Sequence, residues 1–207
     1  MPSVIEYYFY SASPFTYFGH QKIREVAAKH DCFLAPKPVN LFALWEVSGA
    51  VPPGKRPPVR QRYRLLELQR IAESLGITIN LQPKFFPVDA TLADHTIIAV
   101  ANAGADPFGY MENVFRTVWT DDGDIADEAT LSSLLTDAGL DASAILEAAR
   151  TLEVAEIREA NTKAAIEADA VGVPAYVVGG EVFWGQDRIH LIDEMLASGR
   201  DPIVVER

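Results

Sequence analysis

The chain has 207 residues, of which 49% are hydrophobic, so it is long enough and apolar enough to bury a substantial core. Its formal net charge is -11 at pH 7, and an acidic chain repels nucleic acid and anionic membranes, so neither is an expected partner. Cys32 is the only cysteine, which excludes an intramolecular disulfide and a dithiol redox cycle. With no window approaching a membrane span of roughly 18 apolar residues and no signal-peptide pattern, a cytoplasmic protein is expected.

The first forty residues predict a strand, a helix and a second strand. The β-branched and aromatic run Val4–Tyr10 is typical of a strand, and Cys32–Val39 indicates another. Between them, Ser13 suits a helix N-cap and Pro14 suits the first helical position. We therefore expect a helix that runs from this point towards Lys29, joining two parallel strands.

The middle of the chain predicts loops and a block of helices. Prolines and glycines indicate a loop from Asn40 to Pro58 and another at Pro83–Asp89. Apolar spacing after polar starts predicts helices over Arg60–Leu75, Asp94–Ala103, Asp106–Thr120, Asp127–Ala138, Ala142–Leu152 and Glu153–Ala170.

The last part of the chain predicts a hairpin and one more helix. Two short apolar runs flank Gly179-Gly180, which is a strong signal for a β-hairpin. Asp187 is expected to cap a final helix over Ile189–Ala197.

This layout resembles a thioredoxin fold that is split by a helical insertion, which places the chain in the α/β class. Strands at both ends and helices between them define two predicted units. The predicted units are a thioredoxin-like domain at residues 1–45 and 160–207 and an all-helical insertion domain at residues 46–159.

Three motifs extend the resemblance. The Gly-Val-Pro at residues 172–174 looks like the cis-proline turn of thioredoxin-like proteins. The Ser-Pro-Phe-Thr-Tyr at residues 13–17 resembles the S-P-[FY]-[ST]-[YW] turn of 2-hydroxychromene-2-carboxylate isomerases and kappa-class glutathione transferases. The Phe-Trp-Gly-Gln-Asp-Arg at residues 183–188 is similar to the W-G-[ND]-D-R segment of that group. Along nearly its whole length, the chain resembles these DsbA-like isomerases.

The resemblance implies a glutathione-dependent enzyme that is a homodimer and acts on a small aromatic carboxylate. In the isomerases, glutathione adds to the catabolite, permits rotation about a former double bond and leaves unchanged. The implied reaction converts 2-hydroxychromene-2-carboxylate to trans-o-hydroxybenzylidenepyruvate in naphthalene degradation. Two alternatives remain: a kappa-type glutathione transferase that conjugates electrophiles, and a redox-inactive thioredoxin-like module that binds peptides or partner proteins.

Ser13 is the candidate catalytic residue. A thiolate is the reactive form of glutathione, and both a helix N-terminus and a hydroxyl donor stabilise the charged sulfur. A hydroxyl forms no mixed disulfide, so it supports addition rather than redox exchange. Capping alone would also explain Ser13, and Ser11 is an alternative two residues earlier.

The remaining glutathione contacts are implied by the resemblance. Pro174 would leave the backbone groups of Val173 free to pair with the cysteinyl part of the ligand. Asp187 suits the α-amino group at the γ-glutamyl end, although helix capping would also explain it, and Trp184 could be core filler. The predicted glutathione-binding residues are Ser13, Val173, Pro174, Trp184, Gly185, Gln186 and Asp187.

A basic run predicts an anion site for the substrate carboxylate or for the glycine end of glutathione. A solvated helix face is the alternative. The run contains no acid between residues 55 and 64 and comprises Lys55, Arg56, Arg60, Arg62 and Arg64. By the resemblance, the substrate-binding residues are Trp45, Lys55, Arg56 and Phe86, where Trp45 replaces a lysine of the isomerases and Ala50 replaces a frequent asparagine.

The four histidines show no metal-ligand spacing, so no metal is expected. All four are most simply explained as surface or packing residues, with His95, which follows the Phe-Phe-Pro loop, the one that could line the site.

Overall fold

A computed structural model describes residues 3–205. Its strands are β1 (Val4–Phe9), β2 (Phe33–Pro38), β3 (Ala175–Val178) and β4 (Glu181–Trp184). They form one mixed sheet in the order β2-β1-β3-β4, in which β1 is parallel to β2 and antiparallel to β3. β3 and β4 form an antiparallel hairpin. The predicted α/β fold with strands at both ends of the chain is confirmed.

Helices cover the sheet and fill the middle of the chain. Two short 3-10 helices accompany them, at Pro53–Lys55 and Gln186–Arg188. The α-helices within residues 3–205 are α1 (Pro14–Lys29), α2 (Leu41–Ser48), α3 (Pro58–Leu75), α4 (Thr91–Asn102), α5 (Phe108–Trp119), α6 (Glu128–Asp137), α7 (Ala142–Ala149), α8 (Leu152–Glu167) and α9 (Ile189–Ser198).

The segment from Asn40 to Pro58 was wrongly predicted to be a loop, because it contains α2 and a 3-10 helix. The Asn40 side chain accepts hydrogen bonds from the backbone N–H groups of Phe42 and Ala43 and so caps α2. Gly49, with φ +74°, ends α2 in a left-handed conformation. The prolines that suggested a loop all lie beyond this glycine.

Asp187 does not cap the final helix as predicted. The residue that precedes α9 is Arg188, and no side chain caps the helix there. Asp187 instead lies within the 3-10 helix Gln186–Arg188, which leads directly into α9, and α9 begins at Ile189 as predicted.

The strands and the inserted helices follow the predicted division of the chain. All four strands lie within residues 1–45 and 160–207, and helices α3 to α7 lie within residues 46–159. The two predicted boundaries fall inside α2 and α8. The division into two domains therefore stays a prediction.

One continuous core joins the sheet to the inserted helices. Tyr7 and Phe9 on the central strand β1 are fully buried. Tyr7 stacks on Tyr176 of β3 with 5.3 Å between ring centroids, and Phe9 meets the edge of Phe115 of α5 at 5.8 Å. Aromatic pairs at these separations add to the stabilisation that burial provides. Among residues 3–205, none of the helices combines the length and apolarity that crossing a bilayer requires.

Gly19 lets α1 approach β3 and the 3-10 helix Gln186–Arg188. A Cβ built at position 19 would lie 2.8 Å from the Tyr176 hydroxyl oxygen and 3.0 Å from Cβ of Gln186. These separations are shorter than ordinary van der Waals contacts, so a side chain at position 19 would push α1 away from the sheet.

We expect Gly19→Ala to lower the free energy of unfolding by about 1–3 kcal/mol, because overpacking outweighs the better helix propensity of alanine. Urea unfolding would measure this change. Gly109→Ala is the matched control, since Gly109 is exposed on α5 and a Cβ added there would meet nothing within 4 Å beyond its own helix. The control should stabilise the protein by about 0.5–1 kcal/mol. Similar effects from both substitutions would contradict the packing argument.

Candidate active site

The predicted glutathione-binding residues converge at one end of the sheet. In the strand register, Tyr8 of β1 lies opposite Ala175 of β3, and Ala175 lies opposite Trp184 of β4. The turn after β1, the turn before β3 and the segment after β4 therefore meet. The Gly185 N–H confirms this closeness by donating a hydrogen bond to the Pro174 carbonyl at 2.8 Å.

Ser13 is the N-cap of α1, and the cap does not use its hydroxyl hydrogen. The Oγ atom accepts a hydrogen bond from the Thr16 N–H at 3.3 Å, and the Ser13 N–H donates to the Tyr10 carbonyl at 2.9 Å. Ser13 is 6% exposed. Among the residues that the structure describes, neither the Ser13 O–H nor the Phe15 N–H has an acceptor. Capping uses only the oxygen lone pair, so it leaves two donors available at the start of α1.

The turn before β3 has unpaired backbone groups. The Val173-Pro174 peptide bond is cis. Within residues 3–205, neither the N–H nor the C=O of Val173 forms a hydrogen bond. Buried backbone groups are nearly always paired, so a free pair in a turn beside a helix N-terminus is suited to an extended peptide ligand.

Trp184 lies beside this turn and is not core filler. A Cβ at Gly172 would be 2.9 Å from Nε1 of Trp184, so the indole packs directly on the glycine. Trp184 is 49% exposed. A half-exposed indole next to the cis peptide can form one wall of a ligand site.

The segment after β4 turns at Gly185 and presents Asp187 to solvent. Gly185 has φ +103°, a conformation that favours glycine. The Asp187 carboxylate accepts a hydrogen bond from Arg188, and both side chains are exposed. Gln186 packs with its Cβ towards Gly19 of α1. An amino group that binds Asp187 would therefore have to share the carboxylate with Arg188.

A cleft lies between the start of α1 and α3, and we call it the arginine cleft. Its volume is about 330 Å³, and its lining residues are Phe15, Arg56, Val59, Arg60, Tyr63, Arg64 and Glu67. Phe15 connects this cleft to the Ser13 turn, two residues away in the chain.

Only some of the predicted substrate-binding residues meet at the arginine cleft. Arg56 lines it, and Phe86 adjoins it, because the Arg64 guanidinium lies 5.6 Å from the Phe86 ring centroid. Lys55 is exposed at the end of a 3-10 helix and does not line the cleft. Trp45 packs edge-on against Phe42 of α2 at 5.7 Å between centroids. Their substrate contacts stay predictions.

A buried ion pair beneath the Ser13 turn gave no signal in the sequence. Asp94 of α4 has no exposed surface and accepts hydrogen bonds from the Ser11 hydroxyl at 2.6 Å and the Ser11 N–H at 3.2 Å. Arg158 of α8 donates to the other carboxylate oxygen at 2.8 and 3.0 Å. Burial raises the pKa of Asp94 to about 6, although Arg158 and Ser11 act in the opposite direction.

This network decides between the two serines. The Ser11 hydroxyl is fully buried and already donates to Asp94, so it has no proton to offer a ligand. The Ser13 hydroxyl, by contrast, only accepts a hydrogen bond. Of the two hydroxyls, only that of Ser13 has a proton without an acceptor among the described residues, and its catalytic role stays a prediction.

Two histidines have structural roles, His95 as a link between helices and His20 in the core. His95 bonds through Nδ1 to the Ala149 carbonyl at 3.0 Å and links α4 to the end of α7. His20 is buried against Phe115, and burial lowers its pKa to about 4, so it is neutral at pH 7. The described part of the chain contains no group of three His, Cys, Asp or Glu side chains that could hold a metal ion.

Residues 4–197 match the family of DSBA-like thioredoxin domains. The chain belongs to this family. The match confirms the predicted thioredoxin-like fold.

Three known proteins that are similar to this DsbA-like protein carry the name 2-hydroxychromene-2-carboxylate isomerase. The 2-hydroxychromene-2-carboxylate isomerase of Pseudomonas putida is 29% identical over 200 residues, which cover 95% of each chain. The isomerase of the same name from Sphingobium xenophagum is 26% identical over 199 residues, 95% of this chain and 99% of that one. A solved structure of a 2-hydroxychromene-2-carboxylate isomerase has a TM-score of 0.78 at 24% identity, covering 94% and 95% of the two chains.

In this DsbA-like protein, we expect Asp94→Ala to lower the free energy of unfolding by about 3–5 kcal/mol, because it leaves the Arg158 guanidinium buried without its counter-ion. The Arg158 side chain is only 12% exposed. Urea unfolding at neutral pH would measure the loss.

The matched control for that experiment is Glu112→Ala, which breaks the exposed ion pair with Arg24. An exposed pair is worth less than about 1 kcal/mol. If Asp94→Ala lowered the free energy of unfolding no more than Glu112→Ala, the buried Asp94–Arg158 pair would not stabilise the fold more than an exposed pair does.

Proposed function

We propose that the protein is a glutathione-dependent cis–trans isomerase that converts 2-hydroxychromene-2-carboxylate to trans-o-hydroxybenzylidenepyruvate. The observation that carries the proposal is the pair of free donors at the start of α1, beside a cis-proline turn whose Val173 backbone groups are unpaired. The isomerase names of two relatives that align over nearly the whole chain support the same reaction.

The residues at this end of the sheet fit glutathione chemically. A thiolate at the start of α1 would accept hydrogen bonds from the Ser13 O–H and the Phe15 N–H, and the helix dipole would favour its negative charge. Val173 would pair with the cysteinyl backbone, as a strand pairs with its neighbour. Asp187 would receive the α-amino group at the γ-glutamyl end, next to the exposed Trp184 indole.

The chain itself cannot supply the thiol at this site. Cys32 is the only cysteine, and it precedes β2, whose opposite end reaches the candidate site. Burial, followed by the charge of Asp31, raises the pKa of the Cys32 thiol, which makes it a weak nucleophile at pH 7. A thiol-dependent reaction at Ser13 therefore requires a thiol from a ligand.

The proposed chemistry leaves the redox state unchanged. Opening of the hemiketal ring breaks its carbon–oxygen bond, so that the 2-hydroxyl becomes the ketone and its proton passes to the phenolic oxygen. Bound glutathione supplies a nucleophilic sulfur that adds to the conjugated carbon–carbon double bond of this open form, and the same sulfur leaves after the resulting single bond has rotated. The role of Ser13 is to stabilise the charged sulfur before addition and on departure. Because the bond made is the bond later broken, neither an oxidant nor a reductant is needed.

Calorimetric titration with reduced glutathione tests the proposed site. We expect binding in the micromolar to low-millimolar range, weaker binding of S-methylglutathione, and an ultraviolet difference signal from bound thiolate, because Ser13 and the α1 N-terminus stabilise the ionised sulfur. Failure to bind at millimolar glutathione would reject both the isomerase and a kappa-type transferase. Binding of an unstructured peptide instead would then support a redox-inactive binding module.

Removing the hydroxyl tests the role of Ser13. We expect Ser13→Ala to slow isomerisation by roughly ten- to a thousandfold at saturating glutathione, the scale for losing one preorganised donor. Absorbance of 2-hydroxychromene-2-carboxylate and its product would give the rate. Free glutathione would stay constant during isomerisation, whereas a transferase would consume it.

Thr151→Ala is the matched control for Ser13→Ala. Thr151 caps α8 through the Val154 N–H, so both substitutions remove a hydroxyl N-cap. Each should cost about 1 kcal/mol of stability, but only Ser13→Ala should change the rate. An activity loss below about threefold for Ser13→Ala would reject its role as a donor to the sulfur.

A further inference from the structure

Two buried hydroxyls between α1 and the sheet have no hydrogen-bond partner among residues 3–205. They are Oγ1 of Thr16 and the phenolic oxygen of Tyr176, and neither side chain has exposed surface. Thr16 belongs to the first turn of α1, and Tyr176 follows the cis peptide of Pro174 by two residues. A buried hydroxyl without a partner is costly, so native proteins nearly always satisfy it with protein groups or with water.

The two hydroxyls face each other across the contact between α1 and β3. Gly19 gives the reference point, because a Cβ built there would lie 2.8 Å from the Tyr176 oxygen. Thr16 precedes Gly19 by three residues, and Cβ atoms at that spacing on one helix face are about 5–6 Å apart. The two oxygens form no direct hydrogen bond. Their separation is on the order of the roughly 5.5 Å that one water molecule spans with a hydrogen bond on each side.

Tyr7 supplies a third hydroxyl on the same face of α1. It lies directly opposite Tyr176 in the sheet, and the two rings stack with 5.3 Å between centroids. The Tyr7 oxygen is 3.5 Å from Nδ1 of His20, the residue that follows Gly19. Because Nε2 of the neutral His20 ring donates to the Phe108 carbonyl, Nδ1 can only accept, and Tyr7 is the donor. The lone pairs of the Tyr7 oxygen therefore stay available.

We infer that one buried water molecule is bound between α1 and the sheet by the hydroxyls of Thr16, Tyr176 and Tyr7. The hydrogen bonds balance, because the water accepts from the Thr16 and Tyr176 O–H groups and donates to the Tyr7 oxygen. About three polar partners is the usual number for an internal water molecule. Burial raises the pKa of Tyr176, so its hydroxyl keeps the hydrogen that it donates at neutral pH.

This water site joins two parts of the proposed glutathione site. The Thr16 N–H donates to Oγ of Ser13 at 3.3 Å, and Tyr176 lies in the strand that follows the Val173 turn. By linking Thr16 to Tyr176, the water positions the Ser13 hydroxyl relative to the Val173 backbone. This consequence for glutathione rests on the proposed function, whereas the binding of the water does not.

The sign of the stability change tests the water site. Tyr176→Phe and Thr16→Val should each lower the urea midpoint by about 0.3–0.5 M, because each removes a hydrogen bond to the water. A hydroxyl with no partner at all would give the opposite sign, since its removal ends an unfavourable burial. The double variant should lose no more than the larger single change, because both substitutions act on the same water.

Tyr110→Phe is the matched control for Tyr176→Phe. The Tyr110 hydroxyl is also buried, but it bonds directly to Oγ1 of Thr96 at 2.8 Å. Its removal should lower the midpoint and add fully to the effect of Thr16→Val, because the two sites share no partner. Raised midpoints for Tyr176→Phe and Thr16→Val, or additive losses in their double variant, would overturn the inference.

Nuclear Overhauser transfer from water detects the bound molecule directly. We expect a signal from water to the Tyr176 ring protons in the unsubstituted protein and its loss in Thr16→Val. The Tyr110 ring reports hydroxyl exchange without a bound water, so its signal should be absent or weaker. No signal at Tyr176, or equal signals at both rings, would reject the water.

Glutathione titration separates the water from its proposed role. Tyr176→Phe should weaken glutathione by about two- to tenfold, the scale of one hydrogen bond, and Tyr110→Phe should not. A water signal with unchanged glutathione affinity in Tyr176→Phe would reject the positioning of Ser13. Failure of the unsubstituted protein to bind glutathione would reject the proposed function instead, and the stability and water measurements would still decide the water site.

Discussion

The buried Asp94 carboxylate is the interaction on which the candidate site depends. Through Ser11 it fixes the end of the central strand, and through Arg158 it ties that end to α8. Arg158 also donates to the Val39 carbonyl beyond β2, so one ion pair links two strand ends and two helices. A buried charge is tolerated only when its hydrogen bonds are satisfied, which leaves these elements little freedom to shift. The Ser13 hydroxyl is held in place two residues from this anchor.

The Ser13 turn has two hydrogen-bond donors, the Ser13 O–H and the Phe15 N–H, but the one cysteine of the chain does not lie beside them. Dithiol chemistry needs a second sulfur within reach, and Cys32 lies at the other end of β2. The free Ser13 and Phe15 donors suit a charged sulfur atom that arrives with a ligand. Val173 offers the backbone pairing that an extended tripeptide can use.

Local patterns predicted most of the fold. Gly179-Gly180 indicates the hairpin because few other residues adopt two successive positive φ angles, and here they are +59° and +93°. Ser13-Pro14 likewise indicates the start of α1. By contrast, α2 was missed because its eight residues are surrounded by loop-forming ones. Asp94 and Arg158 are separated by 64 residues, and no local pattern encodes such a contact.

The arginine cleft is a positively charged region on an acidic protein. The net charge of -11 repels anions at a distance, but at physiological ionic strength this repulsion is screened beyond about 8 Å. Inside the arginine cleft, three guanidiniums outnumber the one carboxylate, Glu67, so the local charge is positive. Phe15 lies between the two halves of the site. Its N–H has no acceptor within residues 3–205, and its side chain is one of those that line the cleft. A ligand ring against Phe15 would therefore lie next to the donors that would hold the attacking sulfur, and this proximity is what an addition reaction requires.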